Sequence, residues 1–237
     1  MKLATFNTHY GVRPTRRPPA DPYDLEAVLA ALDADVIVLQ ELWRPDRRRG
    51  RADAAAEALG YVLVYEATGP ATSDHRWPRL RHDGTGESGI AVLSRLPVRR
   101  VGALEVGPTF GDPAPRRSAL DVEVVLGDRR VRVIGVHLTS RLPHGPPLQL
   151  RRLARLLPPA GTPTVVVGDC NLWGPGVVAM LPGWRRAVRG RTWPARAPHS
   201  QIDHVLVRPG ELDVVHARVL ADVGSDHRPV EVELALR

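Results

Sequence analysis

Val36-Ile37-Val38-Leu39-Gln40-Glu41 is an apolar run of strand length, rich in β-branched residues, that closes on an amide and a carboxylate. A buried strand ending this way must find partners for both polar groups. The same layout recurs along the chain. Leu3–Asn7 runs into Thr8 and His9, and Val131–His137 ends on a histidine. Thr164–Gly168 runs into Asp169-Cys170-Asn171, and Ile202–Val207 contains Asp203-His204. Ser225-Asp226-His227-Arg228-Pro229 precedes the last apolar run, Val230–Leu236.

Three further runs read as strands: Tyr61–Tyr65, Ile90–Ser94 and Leu120–Leu126, the last alternating apolar with polar in Asp121-Val122-Glu123-Val124. Helical spacing occurs twice. Leu25, Val28, Leu29 and Leu32 fall at i, i+3, i+4 and i+7, with Asp21 as N-cap and Pro22 at the first position. Leu150, Leu153, Ala154 and Leu157 repeat the pattern, with Arg151, Arg152 and Arg155 on the other face and Pro158-Pro159 as the stop. Many strands and few helices predict two sheets packed face to face with helices outside. Glu66–Glu87 and Leu138–Pro147 read as the longest irregular stretches. With no internal repeat and no dividing linker, residues 1–237 read as a single domain.

The net charge of +7 would attract nucleic acid, phosphorylated metabolites or anionic lipid heads. Lys2 is the sole lysine, however, so the charge is arginine. Together with the abundant Ala and Pro, that bias is also what codon usage in a GC-rich genome gives, and charge alone decides nothing. No apolar run reaches 18 residues, which excludes a transmembrane helix. Met1–Asn7 lacks the apolar core of a signal peptide, so a cytoplasmic location is expected. The single cysteine, Cys170, forbids an internal disulfide and agrees with a reducing compartment. No obligate protein partner is evident.

The polar strand ends, if gathered, would form an oxygen-rich cluster suited to a hard cation such as Mg²⁺. Each is weak alone: a lone Asn after a strand is usually a turn residue, a lone Glu is usually solvated, and a lone His is usually structural. Cys170 reads as a core residue and not a nucleophile. His75, His82, His144, His199 and His216 lack zinc-type spacing. Arg116-Arg117 is either a phosphate contact or a solvated pair.

Order and spacing together carry more. Leu3–Asn7, Asp35–Glu41, Gly89–Arg95, Val136-His137-Leu138, Val167–Asn171, Ile202-Asp203-His204-Val205 and Ser225–Pro229 resemble, in sequence order, the endonuclease/exonuclease/phosphatase (DNase I-like) family. Thr192-Trp193-Pro194-Ala195 is similar as well. The resemblance implies an α/β, four-layer sandwich of two packed central β-sheets with helices on both outer faces. It implies a hydrolase of phosphoester bonds, either phosphodiester or phosphomonoester, dependent on Mg²⁺ or Mn²⁺. Glu41 would be the principal metal ligand, with Asn7 beside it and Asp226 assisting. Asp203 would hold His227, Asp169 and Asn171 would orient the attacking water, and His137 would contact a phosphate oxygen. Whether Asp169 or His227 is the general base stays open.

Apurinic-site enzymes of the family carry an acid where this chain has His9, and lack a histidine at His137. Both departures point to the DNase I, sphingomyelinase, inositol-phosphatase and deadenylase side. The substrates in play are DNA or RNA, a nucleotide, and a phospholipid or inositol phosphate. A catalytically silent member that binds a phosphorylated ligand is the non-enzyme alternative. Five arginines, Arg44, Arg47, Arg48, Arg49 and Arg51, follow Glu41 closely. They form either a nucleic-acid contact or a solvated loop capping the next helix.

Overall fold

A computed structural model describes residues 1–15, 21–45, 49–72, 85–112, 114 and 116–237. Among them lie twelve strands: β1 (Lys2–Asn7), β2 (Val36–Pro45), β3 (Val62–Thr72), β4 (Thr85–Ser94), β5 (Val98–Glu105), β6 (Ser118–Leu126), β7 (Arg129–His137), β8 (Thr164–Asp169), β9 (Arg185–Arg186), β10 (Asp203–Val207), β11 (Leu212–Val219) and β12 (Val230–Leu236). Four α-helices accompany them: α1 (Leu25–Leu32), α2 (Arg51–Ala58), α3 (Gly145–Ala154) and α4 (Gly174–Met180). One six-stranded sheet has the order β11-β12-β1-β2-β4-β3, and the other β5-β6-β7-β8-β10-β9. The parallel pairs are β1–β2 and β7–β8, both central.

Side-chain parity builds the layers. Leu3, Val36, Val38, Ile90 and Val92 of the first sheet pack against Leu120, Val122, Val133, Val165, Val167 and Val205 of the second. Each such fully buried side chain is worth about 1.5–3 kcal/mol, so this slab is the main stabiliser. The alternate residues face outward. Ala4, Phe6, Ile37 and Leu39 meet Leu25, Leu29 and Leu32 of α1 and Ala52, Ala55 and Ala56 of α2. Ile134, Val136 and Val166 meet Leu150 and Leu153 of α3 and Val177 of α4. The result is helices, sheet, sheet, helices, as the sequence predicts. No described helix is long and apolar enough to cross a membrane.

Several local expectations need correction. The N-cap of α1 is Asp24, whose carboxylate accepts from the Ala27 N–H at 3.0 Å, and not Asp21. Pro22 instead bridges to Val12 outside the helix. Helix α3 starts at Gly145, so part of Leu138–Pro147 is helical; Pro146 and Pro147 are tolerated because first-turn N–H groups have no intrahelical partner. It ends at Ala154, before the two prolines. The described residues of Glu66–Glu87 are strand, since β3 extends to Thr72 and β4 begins at Thr85, and residues 73–84 lie outside the described residues. A Cβ at Gly89 would lie 2.2 Å from the Glu66 carbonyl oxygen. That glycine serves close strand approach and makes no turn.

Candidate active site

The register of the second sheet sets three polar residues in one row. His137 of β7 pairs with Asp169 of β8, which pairs on its other side with Asp203 of β10. All three follow the inward parity of Val133, Val167 and Val205, so they face the other sheet. There, Asn7 of β1 lies opposite Gln40 of β2. The β2–β4 register shifts between Leu39 and Leu42, and both leucines pack in the outer layer. The bulge therefore inserts Gln40 and Glu41 between two outward residues and aims Glu41 at the row. Glu41 takes a left-handed backbone, φ 51°, as do His9, Tyr10 and Asn171 around it. Such conformations cost about 1–3 kcal/mol each and gather where the surroundings hold them for function. Gly168 is needed before Asp169: its φ is 138°, and a Cβ there would meet the Val136 carbonyl oxygen at 2.1 Å.

Hydrogen bonds knit the cluster across the two sheets. The Asn7 side-chain amide donates to Asp169 Oδ2 at 3.0 Å and to Glu41 Oε1 at 3.3 Å. The Asn171 backbone N–H donates to Asp169 Oδ1 at 2.8 Å, and its side chain donates to the Leu138 carbonyl at 2.9 Å. His227 Nδ1 lies 2.9 Å from Asp203 Oδ2, while its Nε2 is 3.9 Å from Asp169 Oδ2. His137 Nε2 stands 3.6 Å from Glu41 Oε1 and 3.8 Å from Asp169 Oδ2, too far for hydrogen bonds. The loop bearing Asp226 and His227 is tied down by Ser225 Oγ donating to the Asn7 carbonyl at 2.7 Å. Thr192 accepts from the backbone of Ile202 and Asp203, and Trp193 Nε1 donates to Asp226 Oδ2 at 3.4 Å.

The electrostatics follow from burial of so many charges. Burial, then the charge of Asp226, raises the Glu41 carboxyl. Burial and the neighbouring Asp203 push Asp169 up to about 7. Burial alone would lower His227, but the Asp203 carboxylate overrides it and carries the imidazole up to about 10. His137 lies well below the usual histidine range through burial and then the charges of Arg117 and His227. Burial raises the Cys170 thiol well above its usual range, which fits a core residue.

All eight residues singled out in the sequence lie at this one end of the sandwich: Asn7, Glu41, His137, Asp169, Asn171, Asp203, Asp226 and His227. His9 joins them, donating its N–H to Asn7 Oδ1 at 3.1 Å. Arg117 does not offer itself as a phosphate contact. It is buried, paired with Asp112 at 3.0 Å, and donates to the His137 carbonyl. Sequence reading missed the buttresses Thr192 and Ser225, though both sit in blocks it singled out. Of the basic loop, Asp46, Arg47 and Arg48 lie outside the described residues, as do His75 and His82. Arg44 pairs with Asp53, and Arg49 with Glu57 at 2.8 Å. Arg51 donates to the backbone of Gly11 and Tyr23.

Two donor sets fit different occupants. Glu41, Asp226 and the amide of Asn7 offer only hard oxygens, and the mutual repulsion of the two carboxylates is what a dication removes. Asp169, Asp203 and His227 also bring ligand-type atoms within 4.8 Å of one another. In that trio Asp203 raises His227, so a metal there would have to displace the imidazole's proton.

Two packed sheets with carboxylates, amides and imidazoles gathered at one end define a DNase I-like protein. The chain belongs to the Endonuclease/Exonuclease/phosphatase family, whose sequence profile matches residues 4–227. Members of that family are phosphoesterase hydrolases. No curated protein matches the chain. Among solved structures it is similar to an endonuclease/exonuclease/phosphatase from Beutenbergia cavernae, with TM-score 0.72 and 26% identity over 99% of this chain and 71% of that one. It also resembles a mannosyl-6-phosphatase from Bacteroides thetaiotaomicron, with TM-score 0.68 and 15% identity over the whole of both chains. A third likeness is to D. rerio TDP2 complexed with single-strand DNA product, with TM-score 0.63 and 15% identity over 99% of this chain and 98% of that one.

Proposed function

We propose that the protein hydrolyses phosphoester bonds with the help of a divalent cation, Mg²⁺ or Mn²⁺. The observation that carries this reading is the His137–Asp169–Asp203 row, joined by His227 and facing Asn7 and Glu41 across the two sheets. Glu41, Asn7 and Asp226 would hold the cation. When bound, it offsets charge growing on the phosphoryl and leaving oxygens.

The rest is done by the chain's own groups. Asp169, fixed by the Asn171 N–H and the Asn7 amide, accepts the proton of the attacking water as its oxygen bonds to phosphorus and the ester oxygen departs. His227, kept cationic by Asp203, leaves the base role to Asp169, and its Nε2–H, 3.9 Å from Asp169 Oδ2, would donate to a phosphoryl oxygen. His137, neutral and without a close partner for Nε2, donates one hydrogen bond to a phosphoryl oxygen. Two of the similar structures are a mannosyl-6-phosphatase and a complex with a single-strand DNA product, both consistent with phosphoester chemistry.

The test is turnover of bis(p-nitrophenyl) phosphate. EDTA should abolish it and Mg²⁺ or Mn²⁺ restore it, and Glu41→Ala should keep its circular dichroism spectrum but lose the response. Full turnover in excess EDTA rejects the metal assignment.

A further inference from the structure

Residues 170–202, between the two site aspartates Asp169 and Asp203, contain no aspartate or glutamate. They hold Arg185, Arg186, Arg189, Arg191 and Arg196, and three of the five tryptophans. The segment therefore leaves the site and returns to it with positive formal charges and no negative ones. Among the described residues, none of its arginines is paired with a carboxylate, in contrast to Arg44 and Arg49 beside Glu41. A genome-wide arginine bias does not account for the missing acids.

Within this stretch lies a cleft of about 400 Å³ whose lining includes Trp173, Arg186, His199, Ser200 and Gln201. Trp173 comes two residues after Asn171 and is 63% exposed, an unusual state for so large an apolar side chain. Arg186 is fixed in the cleft, with Nη1 donating to Gln201 Oε1 at 3.1 Å. A Cβ at Gly174 would lie 1.8 Å from that same Nη1, so glycine is required for the guanidinium to rest there. Burial and the nearby Arg189 disfavour its charge, which lacks an anion. The far wall joins the site directly: His199 meets the Trp193 ring edge-on at 5.3 Å, and Trp193 donates to Asp226. An exposed indole and guanidinium groups without a carboxylate partner, in the segment that follows Asp169 and Asn171, match a base and a backbone phosphate.

We infer that this cleft is a subsite for single-stranded nucleic acid, in which Trp173 stacks a base flanking the scissile phosphate while Arg186 and Arg189 take the next backbone phosphate. The inference rests on the hydrolase reading only for the position of the scissile phosphate. Its test is binding of a fluorescein-labelled oligodeoxythymidylate in EDTA, followed by anisotropy. Trp173→Ala should weaken binding about 10-fold, the usual worth of one stacked base, and Trp173→Phe should restore most of it. Arg189→Gln should flatten the slope of log affinity against log salt by roughly 0.7. Affinity unchanged in Trp173→Ala, or an equal loss on an abasic strand of the same length, overturns the subsite. Hydrolysis of bis(p-nitrophenyl) phosphate by the unsubstituted protein judges the other reading separately. Trp173-dependent binding without hydrolysis leaves the subsite standing and removes the hydrolase, and hydrolysis with Trp173-indifferent binding does the reverse.

Discussion

Asp203 and His227 stand 24 residues apart in the chain and 2.9 Å apart in space. Burial pulls the imidazole toward its neutral form, and the carboxylate decides the contest by carrying it up to about 10. Because that value is raised, the cationic form is present at neutral pH and is lost only as pH rises toward 10. Asp203→Asn removes the charge but keeps the shape, so His227 should lose its proton at lower pH, and the alkaline fall of the rate profile should move down with it. His227→Ala should cost about 10²–10⁴ in kcat, the usual range for a positioned acid or base. Near-parental turnover in His227→Ala would take this histidine out of the mechanism. At this scale the sequence was informative wherever a residue lay in an ordered block, as Asp203 and His227 do. Taken singly, Trp173 and Arg186 gave no signal, because their meaning lies in a cleft that the fold assembles and in a glycine that lets a guanidinium approach.

Elements were legible in proportion to their burial. The central strands β1, β2, β7, β8 and β10 carry continuous apolar runs and were read to within about two residues at their starts. The edge strands β5 and β11 were missed because they are half solvated and interleave valine with arginine, glutamate and histidine. Helix α2 was missed because it packs alanines, which leave almost no hydrophobic period. The bulge at Glu41 was invisible, since it shows only as a change of parity between Leu39 and Leu42. Strand β10 also carries an element-scale device on its outer side. His204 is fully buried, with Nε2 2.9 Å from the Leu172 carbonyl, and ties β10 to the loop after β8. Burial lowers this imidazole from 6.5 to about 4. The unfolded chain therefore binds the extra proton between those values, so the stability is intact above pH 6.5 and declines as pH falls toward 4, by up to about 3 kcal/mol. Urea unfolding from pH 7 to pH 4.5 should show this decline, and His204→Gln should make it shallower. Equal slopes in the two proteins would reject the assignment.

For the molecule as a whole, the apolar slab between the sheets supplies stability and the polar end draws on it. Four left-handed non-glycine backbones and several buried carboxylates share that end, and such strain persists only where the rest of the structure holds it. Glu41 states the conflict most simply. Its carboxyl is raised above the ordinary 4.5 by burial and by Asp226, so the folded protein holds that proton more tightly than the unfolded chain. Stability of the metal-free protein should then fall as pH rises through the range where Glu41 ionises in the fold. A dication reverses the balance, because it binds only the folded arrangement and cancels the repulsion. Glu41→Gln keeps the shape and the acceptor for Asn7 but deletes the charge. In EDTA at neutral pH it should melt about 2–8 °C above the parent, as stabilising changes at functional sites do. Adding Mg²⁺ should raise the parent's Tm, by an amount corresponding to about 2.7 kcal/mol at a hundredfold excess over Kd, and leave Glu41→Gln nearly unmoved. A variant that melts below the parent in EDTA and still gains from Mg²⁺ would show that Glu41 is a structural carboxylate and that the cation binds elsewhere.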